Sequence, residues 1–122
     1  MVSRMTADPD SDFISSIAPD VRTCLRRVQF FERLDDLLCP KNDPDQREVC
    51  RNDYTLSKRV LAEAGFNAAD LDDIFGVLKS LGGCCDCEVL YNVADSSRVK
   101  AEYWRNRADS LEAKLRHRPP RQ

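Results

Sequence analysis

The 122-residue sequence contains a single histidine and four glycines, and it lacks any long apolar run. The one histidine, His117, lies near the C-terminus, which argues against a Ser-His-Asp triad and against a histidine-containing metal site. No glycine-rich loop of the kind that binds phosphate groups is present. Acidic pairs such as Asp35 and Asp36 fall on predicted polar helix faces, where solvation accounts for them. The sequence therefore favours a protein that is not an enzyme.

Two further absences concern location. No segment approaches the roughly 18 apolar residues that a membrane-spanning helix requires, and the first twelve residues lack the apolar centre of a signal peptide. We therefore predict a cytoplasmic protein without membrane contact, whose thiols stay reduced. In that setting six cysteines indicate metal binding, redox chemistry or burial rather than a disulfide framework.

Charge is distributed unevenly along the chain. Residues 98–122 contain eight Lys or Arg against three Asp or Glu, a local charge of +5, while the whole chain carries −2 and the remainder therefore −7. A basic end on an acidic body favours a tail that contacts a partner, with a solvated helix face as the simpler alternative. Tyr103 and Trp104 among the basic residues also allow a nucleic-acid surface, although the pI near 5.4 argues against it.

Helical periodicity dominates the first two thirds of the chain. The sequence predicts one long amphipathic helix with Ser15 or Ser16 as its cap and Pro19 in its first turn. Its apolar face has eight positions, of which Cys24 is interpreted as a small core residue: Ile17, Val21, Cys24, Leu25, Val28, Phe31, Leu34 and Leu38. A second helix, capped by Asp53 or Thr55, carries Leu56, Val60, Leu61 and Ala64 and ends at Gly65. A capping box of Asn67 and Asp70 opens a third, which carries Leu71, Ile74, Phe75, Leu78 and Leu81 and closes at Gly82.

A last helix is predicted from about Arg98 to Arg116, capped by residues 95–97. Its apolar stripe is narrow and consists of Val99, Tyr103, Trp104, Ala108, Leu111 and Leu115. A narrow stripe among many charges is typical of a protein-partner surface or of a coiled-coil homodimer contact, although the helix could also lie across the core.

Segment 82–93, GGCCDCEVLYNV, holds half of the cysteines. We interpret it as a glycine turn that leads into a short buried strand, with residues 49–50 as a brief extended partner. The twofold period of a strand would place Cys85 and Cys87 on one face, roughly 6–7 Å apart, and Cys84 on the other.

Three hypotheses follow for these thiols. A tetrahedral zinc site would use Cys50, Cys85 and Cys87, with a fourth ligand from Cys39, Cys84 or Asp53. Alternatively, Cys85 and Cys87 would only fill the inner face of a buried strand. The third hypothesis is a redox or soft-metal-responsive thiol site in which Cys84 or Cys85 reacts.

Segment 82–93 also resembles the signature Gly-Gly-x-Cys-Asp-Cys-Glu-Val-Leu-x-Asn-Val of a family of small bacterial proteins of unknown function. The resemblance covers about Phe30 to Val93 and includes an upstream Cys-Asp-His or Cys-Asp-Asn element that opens a helix, similar to residues 50–52 here. It implies a shared thiol site of Cys50, Cys85 and Cys87, with Asn52 where the family often has His and Cys84 at a variable position. It implies nothing about purpose.

The expected fold class is therefore mainly α, with a short β-strand or hairpin that carries the cysteines. The predicted organisation is a disordered N-terminus (1–12), a single small helical domain (13–95), an extended C-terminal amphipathic helix (96–116) and a basic tail (117–122).

Overall fold

The computed structural model describes residues 9–41 and 43–116. These residues form α1 (Pro9–Arg27), α2 (Phe30–Leu38), a 3₁₀ turn (Pro44–Gln46), α3 (Thr55–Glu63), α4 (Ala68–Ser80), a one-turn α5 (Asp86–Glu88) that continues into a π-helical turn (Val89–Val93), and α6 (Arg98–Arg116). The mainly helical prediction is confirmed. The predicted strand or hairpin is wrong, because the described residues contain no strand. Residues 1–8 of the predicted disordered start, and the tail with His117, lie outside the described residues, whereas residues 9–12 belong to α1.

The first predicted helix is divided in two at Gln29. This residue adopts a left-handed conformation (φ 58°, ψ 39°) between α1 and α2. In a continuous helix Leu25 and Phe30, five residues apart, would point about 140° away from each other. The break allows both side chains to be fully buried in the same core.

Helix α1 also begins earlier than predicted, so Pro19 lies inside the helix rather than in its first turn. Ser16 does not cap it, because its hydroxyl donates to the Phe13 carbonyl oxygen. The added turns lie along α4, where Ile14 packs over Gly76 so closely that a Cβ there would approach the Ile14 Cδ1 atom to 2.6 Å. The part of α1 that precedes the predicted start therefore packs against α4.

The later helices agree with the sequence patterns. Gly65 ends α3 with φ +100°, and Gly82 follows α4 with φ +93°. The capping box of α4 is formed as predicted: the Asn67 side chain accepts from the Asp70 N–H at 2.8 Å, and the Asp70 carboxylate accepts from the Asn67 N–H at 3.1 Å. Local signals thus determine both ends of α4.

A single core joins these elements. Helix α1 packs against α4, α2 packs against α3, and the π-helical turn contacts both α2 and α6. The fully buried large side chains are Leu25, Phe30, Leu34, Leu61, Leu78 and Leu90. Helix α6 contributes only Val99 to this core. In the described residues, no helix combines the length and apolar character needed to cross a bilayer.

Asp35 departs from the sequence-based interpretation, which placed it on a solvated helix face. Its side chain is buried, and its carboxylate accepts hydrogen bonds from the backbone N–H groups of Arg98 and Val99 at 2.9 and 3.0 Å. Asp35 therefore caps the first turn of α6 from a distant helix, and periodicity alone could not reveal this.

Candidate functional site

The cysteine segment folds as a compact turn because its polar groups find partners other than a neighbouring strand. The Cys84 N–H donates to the Glu88 carboxylate at 3.1 Å, and the Asp86 N–H donates to the Asp53 carbonyl oxygen at 2.9 Å. The Asn92 side-chain amide donates to the Gly82 carbonyl oxygen at 2.8 Å and ties the end of the segment to its start. In a strand, the backbone N–H and C=O groups would need hydrogen-bond partners on a neighbouring strand, and the described residues contain no second strand.

Gly83 allows this turn to close. A Cβ at this position would lie 2.9 Å from Val93 Cγ2 and 3.0 Å from Val89 Cγ2, and the Gly83 carbonyl oxygen accepts from the Tyr54 hydroxyl. We expect Gly83→Ala to lower the free energy of unfolding by about 1–3 kcal/mol, as other overpacked core positions do. Urea denaturation measures the effect, and an unchanged midpoint would contradict the packing described.

The structure brings Cys50 to the Cys85/Cys87 pair. The Cys87 N–H donates to the Cys50 sulfur at 3.4 Å, and both neighbouring thiols lie close enough to hydrogen-bond with that sulfur. Cys85 is buried, whereas Cys50 and Cys87 are half-buried. We call Cys50, Cys85 and Cys87 the thiol cluster. Two chain segments separated by more than thirty residues therefore supply its sulfur atoms.

The three thiols differ electrostatically. Burial opposes ionisation of Cys50, but hydrogen bonds from the N–H groups of Cys87 and Asn52 and from the two neighbouring thiols outweigh it, so the pKa of Cys50 is lowered. Asn52 adopts a left-handed conformation with φ 64°, and its N–H donates to this sulfur. Burial raises the pKa of Cys85, and the hydrogen bond and charge of Cys50 add to this effect against backbone hydrogen bonds from Glu88 and Cys87. Burial, followed by Cys50, raises the pKa of Cys87 to about 12. The surroundings therefore favour ionisation of Cys50 and oppose ionisation of Cys85 and Cys87.

Asp86, between the two clustered cysteines in sequence, is a residue that sequence reasoning missed. The predicted strand would place it on the face opposite to Cys85 and Cys87, yet it is fully buried. Its carboxylate accepts from the Leu56 N–H at 3.0 Å, from the Ser57 N–H at 2.9 Å and from the Ser57 hydroxyl at 2.5 Å. Asp86 therefore caps α3 and couples that helix to the thiol cluster. The Asp-Cys sequence contains no signal for this role.

The remaining cysteines lie elsewhere. The Cys39 sulfur accepts from the Arg47 guanidinium at 3.6 Å, and that guanidinium also pairs with Glu102 at 3.0 Å. Cys84 is exposed. Cys24, expected in the core, is exposed as well, because α1 turns this position toward a surface groove beside α4.

An open cleft of 480 Å³ lies between α6 and the segment formed by α5 and the π-helical turn. It is lined by Glu88, Tyr91, Asn92, Lys100, Tyr103 and Trp104. Burial raises the pKa of Tyr91, and the charges of Cys87, Glu102 and Cys50 add to that effect. Among the described residues, no cysteine lines the cleft.

The predicted zinc site stays a prediction. Within residues 9–41 and 43–116, no group of three or more His, Cys, Asp or Glu side chains is arranged to hold a metal ion. Cys39, the fourth ligand proposed from the sequence, contacts Arg47. Three sulfur atoms from two segments approach one another, but a complete tetrahedral set is not formed by these residues.

Comparison with known proteins agrees with the resemblance seen in the sequence. A family model described as "Protein of unknown function (DUF2695)" matches residues 30–92, slightly more than half of the chain. Those residues run from α2 to the π-helical turn and include the whole thiol cluster. Neither the comparison with curated proteins nor the comparison with solved structures found a match.

Proposed function

Because the chain belongs to the DUF2695 family of proteins of unknown function, we propose its function from the thiol cluster: it is a redox-responsive thiol protein in which Cys50 reacts first. The observation that carries this proposal is the contact of the Cys50 sulfur with the Cys87 N–H and with the two neighbouring thiols. A thiolate stabilised by hydrogen bonds is the attacking species in thiol–disulfide exchange, and a nearby second thiol resolves the mixed disulfide.

The reaction takes a low-molecular-weight disulfide as its oxidant. The Cys50 thiolate attacks one sulfur of that disulfide, the bond between its two sulfurs breaks, and one small thiolate leaves. Because Cys50 in the mixed disulfide carries no charge, it no longer raises the pKa of Cys87, and the Cys87 thiol gives its proton to the small thiolate. The Cys87 thiolate then attacks the Cys50 sulfur and displaces the second small thiolate, which takes up from water the proton that Cys50 had released. Two protein thiols are oxidised to one disulfide, and the small disulfide is reduced to two thiols.

The responsive element is the first turn of α3. Asp86 precedes Cys87 in the chain and holds the N–H groups of Leu56 and Ser57. A disulfide at Cys87 moves the backbone next to Asp86, so oxidation changes how firmly this turn is capped. This assignment differs from the sequence-based redox hypothesis, which expected Cys84 or Cys85 to react. Cys85 is buried, whereas Cys87 is half-buried and its N–H contacts the Cys50 sulfur, so Cys87 is the thiol that resolves the mixed disulfide.

Alkylation of the native protein tests the order of reactivity. With iodoacetamide near neutral pH, we expect Cys50 to be modified at least about tenfold faster than Cys85 and Cys87, since a lower thiol pKa increases the reactive thiolate fraction. The rate at Cys50 should reach half its maximum at a lower pH than the rates at Cys85 and Cys87, because the pKa of Cys50 is lowered and theirs are raised. Peptide mapping by mass spectrometry assigns each site, and the exposed Cys84 is the internal reference.

Oxidation tests the second step. With 2-hydroxyethyl disulfide we expect a bond between Cys50 and Cys87, whereas Cys87→Ser should stop at the mixed disulfide on Cys50. The matched control, Cys84→Ser, should oxidise like the parent protein. Slow alkylation of Cys50 in protein shown to contain no metal, or a disulfide that omits Cys50, would exclude the proposal.

The sequence-based zinc hypothesis is the second candidate, because three sulfur ligands approach one another from two segments. It predicts one zinc ion per purified chain, protection of Cys50 from iodoacetamide, and release of the metal by Cys85→Ser combined with Cys87→Ser. Elemental analysis of the sample used for alkylation separates the two candidates.

A further inference from the structure

Most of α6 has no partner in the described structure. Every side chain from Tyr103 to Arg116 is exposed, and the helix contacts the body only near its N-terminal end. Isolated helices shorter than about 12–15 residues are marginally stable in water. The exposed part of α6 is about that long, so contact with another surface would stabilise it.

The exposed part of α6 carries an apolar stripe flanked by basic residues. We call the stripe together with its flanking residues the basic seam. The members of the stripe are spaced alternately three and four residues apart, as in a coiled coil: Ala101, Trp104, Ala108, Leu111 and Leu115. Trp104, Leu111 and Leu115 are 58%, 47% and 65% exposed. Five residues flank the stripe in the heptad repeat. Four of them are basic, Lys100, Arg105, Arg107 and Lys114, and one is acidic, Glu112. The partner of the basic seam is therefore expected to be apolar with an acidic rim.

The body of the protein offers such a surface between α1 and α4, which we call the acidic groove. It encloses 280 Å³, and its apolar lining comes from Ile17, Val21, Phe66 and Ile74. Its carboxylates come from Asp20, Asp70 and Asp73. Among the residues that the structure describes, no Lys or Arg lines it. Its polarity and charge sign therefore complement the basic seam.

We propose that the basic seam of one copy docks in the acidic groove of a second copy. Within one chain these surfaces remain apart, because the apolar side chains of the seam are exposed. If two α6 helices packed on each other, their mainly basic flanks would repel. Docking in the acidic groove instead places Arg105 and Arg107 against carboxylates, which attract them. The contact joins two different surfaces, so it closes as a reciprocal dimer or continues as a chain of copies.

Sedimentation velocity of the full-length protein over a range of concentrations tests this contact. We expect self-association that weakens as salt rises, because surface charge pairs are screened. Reversing the groove charge with Asp20→Lys plus Asp73→Lys, or the seam charge with Arg105→Glu plus Arg107→Glu, should weaken association by at least about tenfold. Asp70 is left unchanged because it belongs to the capping box of α4.

Mixing the two charge-reversed variants is the decisive measurement. Each should be monomeric alone, and the mixture should associate, because the groove then carries lysines and the seam carries glutamates. Circular dichroism checks that both variants keep the helix content of the parent. If the Asp20→Lys plus Asp73→Lys variant associates as strongly as the parent, the α6 helices pair with each other and the proposal is overturned. A parent protein that is monomeric at every concentration would also overturn the proposal, whether or not it binds a DNA duplex. The same holds if the two variants fold but do not associate when they are mixed.

Discussion

Replacing Asp86 with alanine is expected to lower the free energy of unfolding by about 3–5 kcal/mol, since each buried donor left without a partner costs about 1–3 kcal/mol. Asp86 is 0% exposed, and its carboxylate accepts three hydrogen bonds from Leu56 and Ser57 at the start of α3. The substitution leaves these donors buried and removes a negative charge from the positive end of a helix. For a domain of this size, that loss is a large part of the total stability.

Urea denaturation followed by circular dichroism measures this loss. Ser57→Ala removes one of the three hydrogen bonds and should cost about 1 kcal/mol. Asp72→Ala is the matched control, because Asp72 is an exposed aspartate, and its effect should stay within about 0.5 kcal/mol. A cost below about 1 kcal/mol for Asp86→Ala would contradict its role as a buried cap.

Replacing Asp35 with alanine is expected to cost about 2–4 kcal/mol, because two backbone donors and one guanidinium lose their acceptor. Asp35 is 6% exposed, accepts from the N–H groups of Arg98 and Val99, and lies 3.3 Å from the Arg98 Nε atom. These contacts attach the base of α6 to α2. The substitution should therefore loosen α6 before the rest of the molecule unfolds.

Two measurements separate that local effect from general instability. Trp104, the single tryptophan, lies on α6 and reports its attachment by fluorescence, while circular dichroism reports the whole fold. Asp36→Ala is the control: Asp36 also pairs with Arg98 but is exposed, so its loss should cost less than about 1 kcal/mol. Equal effects of Asp35→Ala and Asp36→Ala would show that the backbone caps do not hold α6.

Local sequence patterns were sufficient to locate α4 and α6 in the chain. The Asn67–Asp70 box and Gly82 bracket α4, and residues 95–97 precede α6 as predicted. At Ser97 the side-chain oxygen accepts from the Lys100 N–H at 3.0 Å, so this cap uses neighbours in the chain. Such interactions span three or four residues and can be recognised in a sequence.

Patterns failed where distant groups decide the conformation. The alternation in segment 82–93 is compatible with a strand, but a strand needs an edge to pair with, and the chain supplies Glu88, Asn92 and the Asp53 carbonyl oxygen as partners. The same limit applies to Gln29, whose left-handed conformation follows from core packing on both sides of the break. Neither choice depends on local propensity.

For the candidate site, the sequence singled out Cys50, Cys85 and Cys87 together with Cys39, and the structure brings the first three together but places Cys39 against Arg47. The sequence also determined the mainly helical fold, since apolar spacing and caps act over a few residues. Only the tertiary structure decided that Cys50 has the lowered pKa and that Asp86 and Asp35 are buried helix caps. The physical reason is that hydrogen bonding and burial of these side chains come from segments 29 to 64 residues away, and no local pattern records such partners.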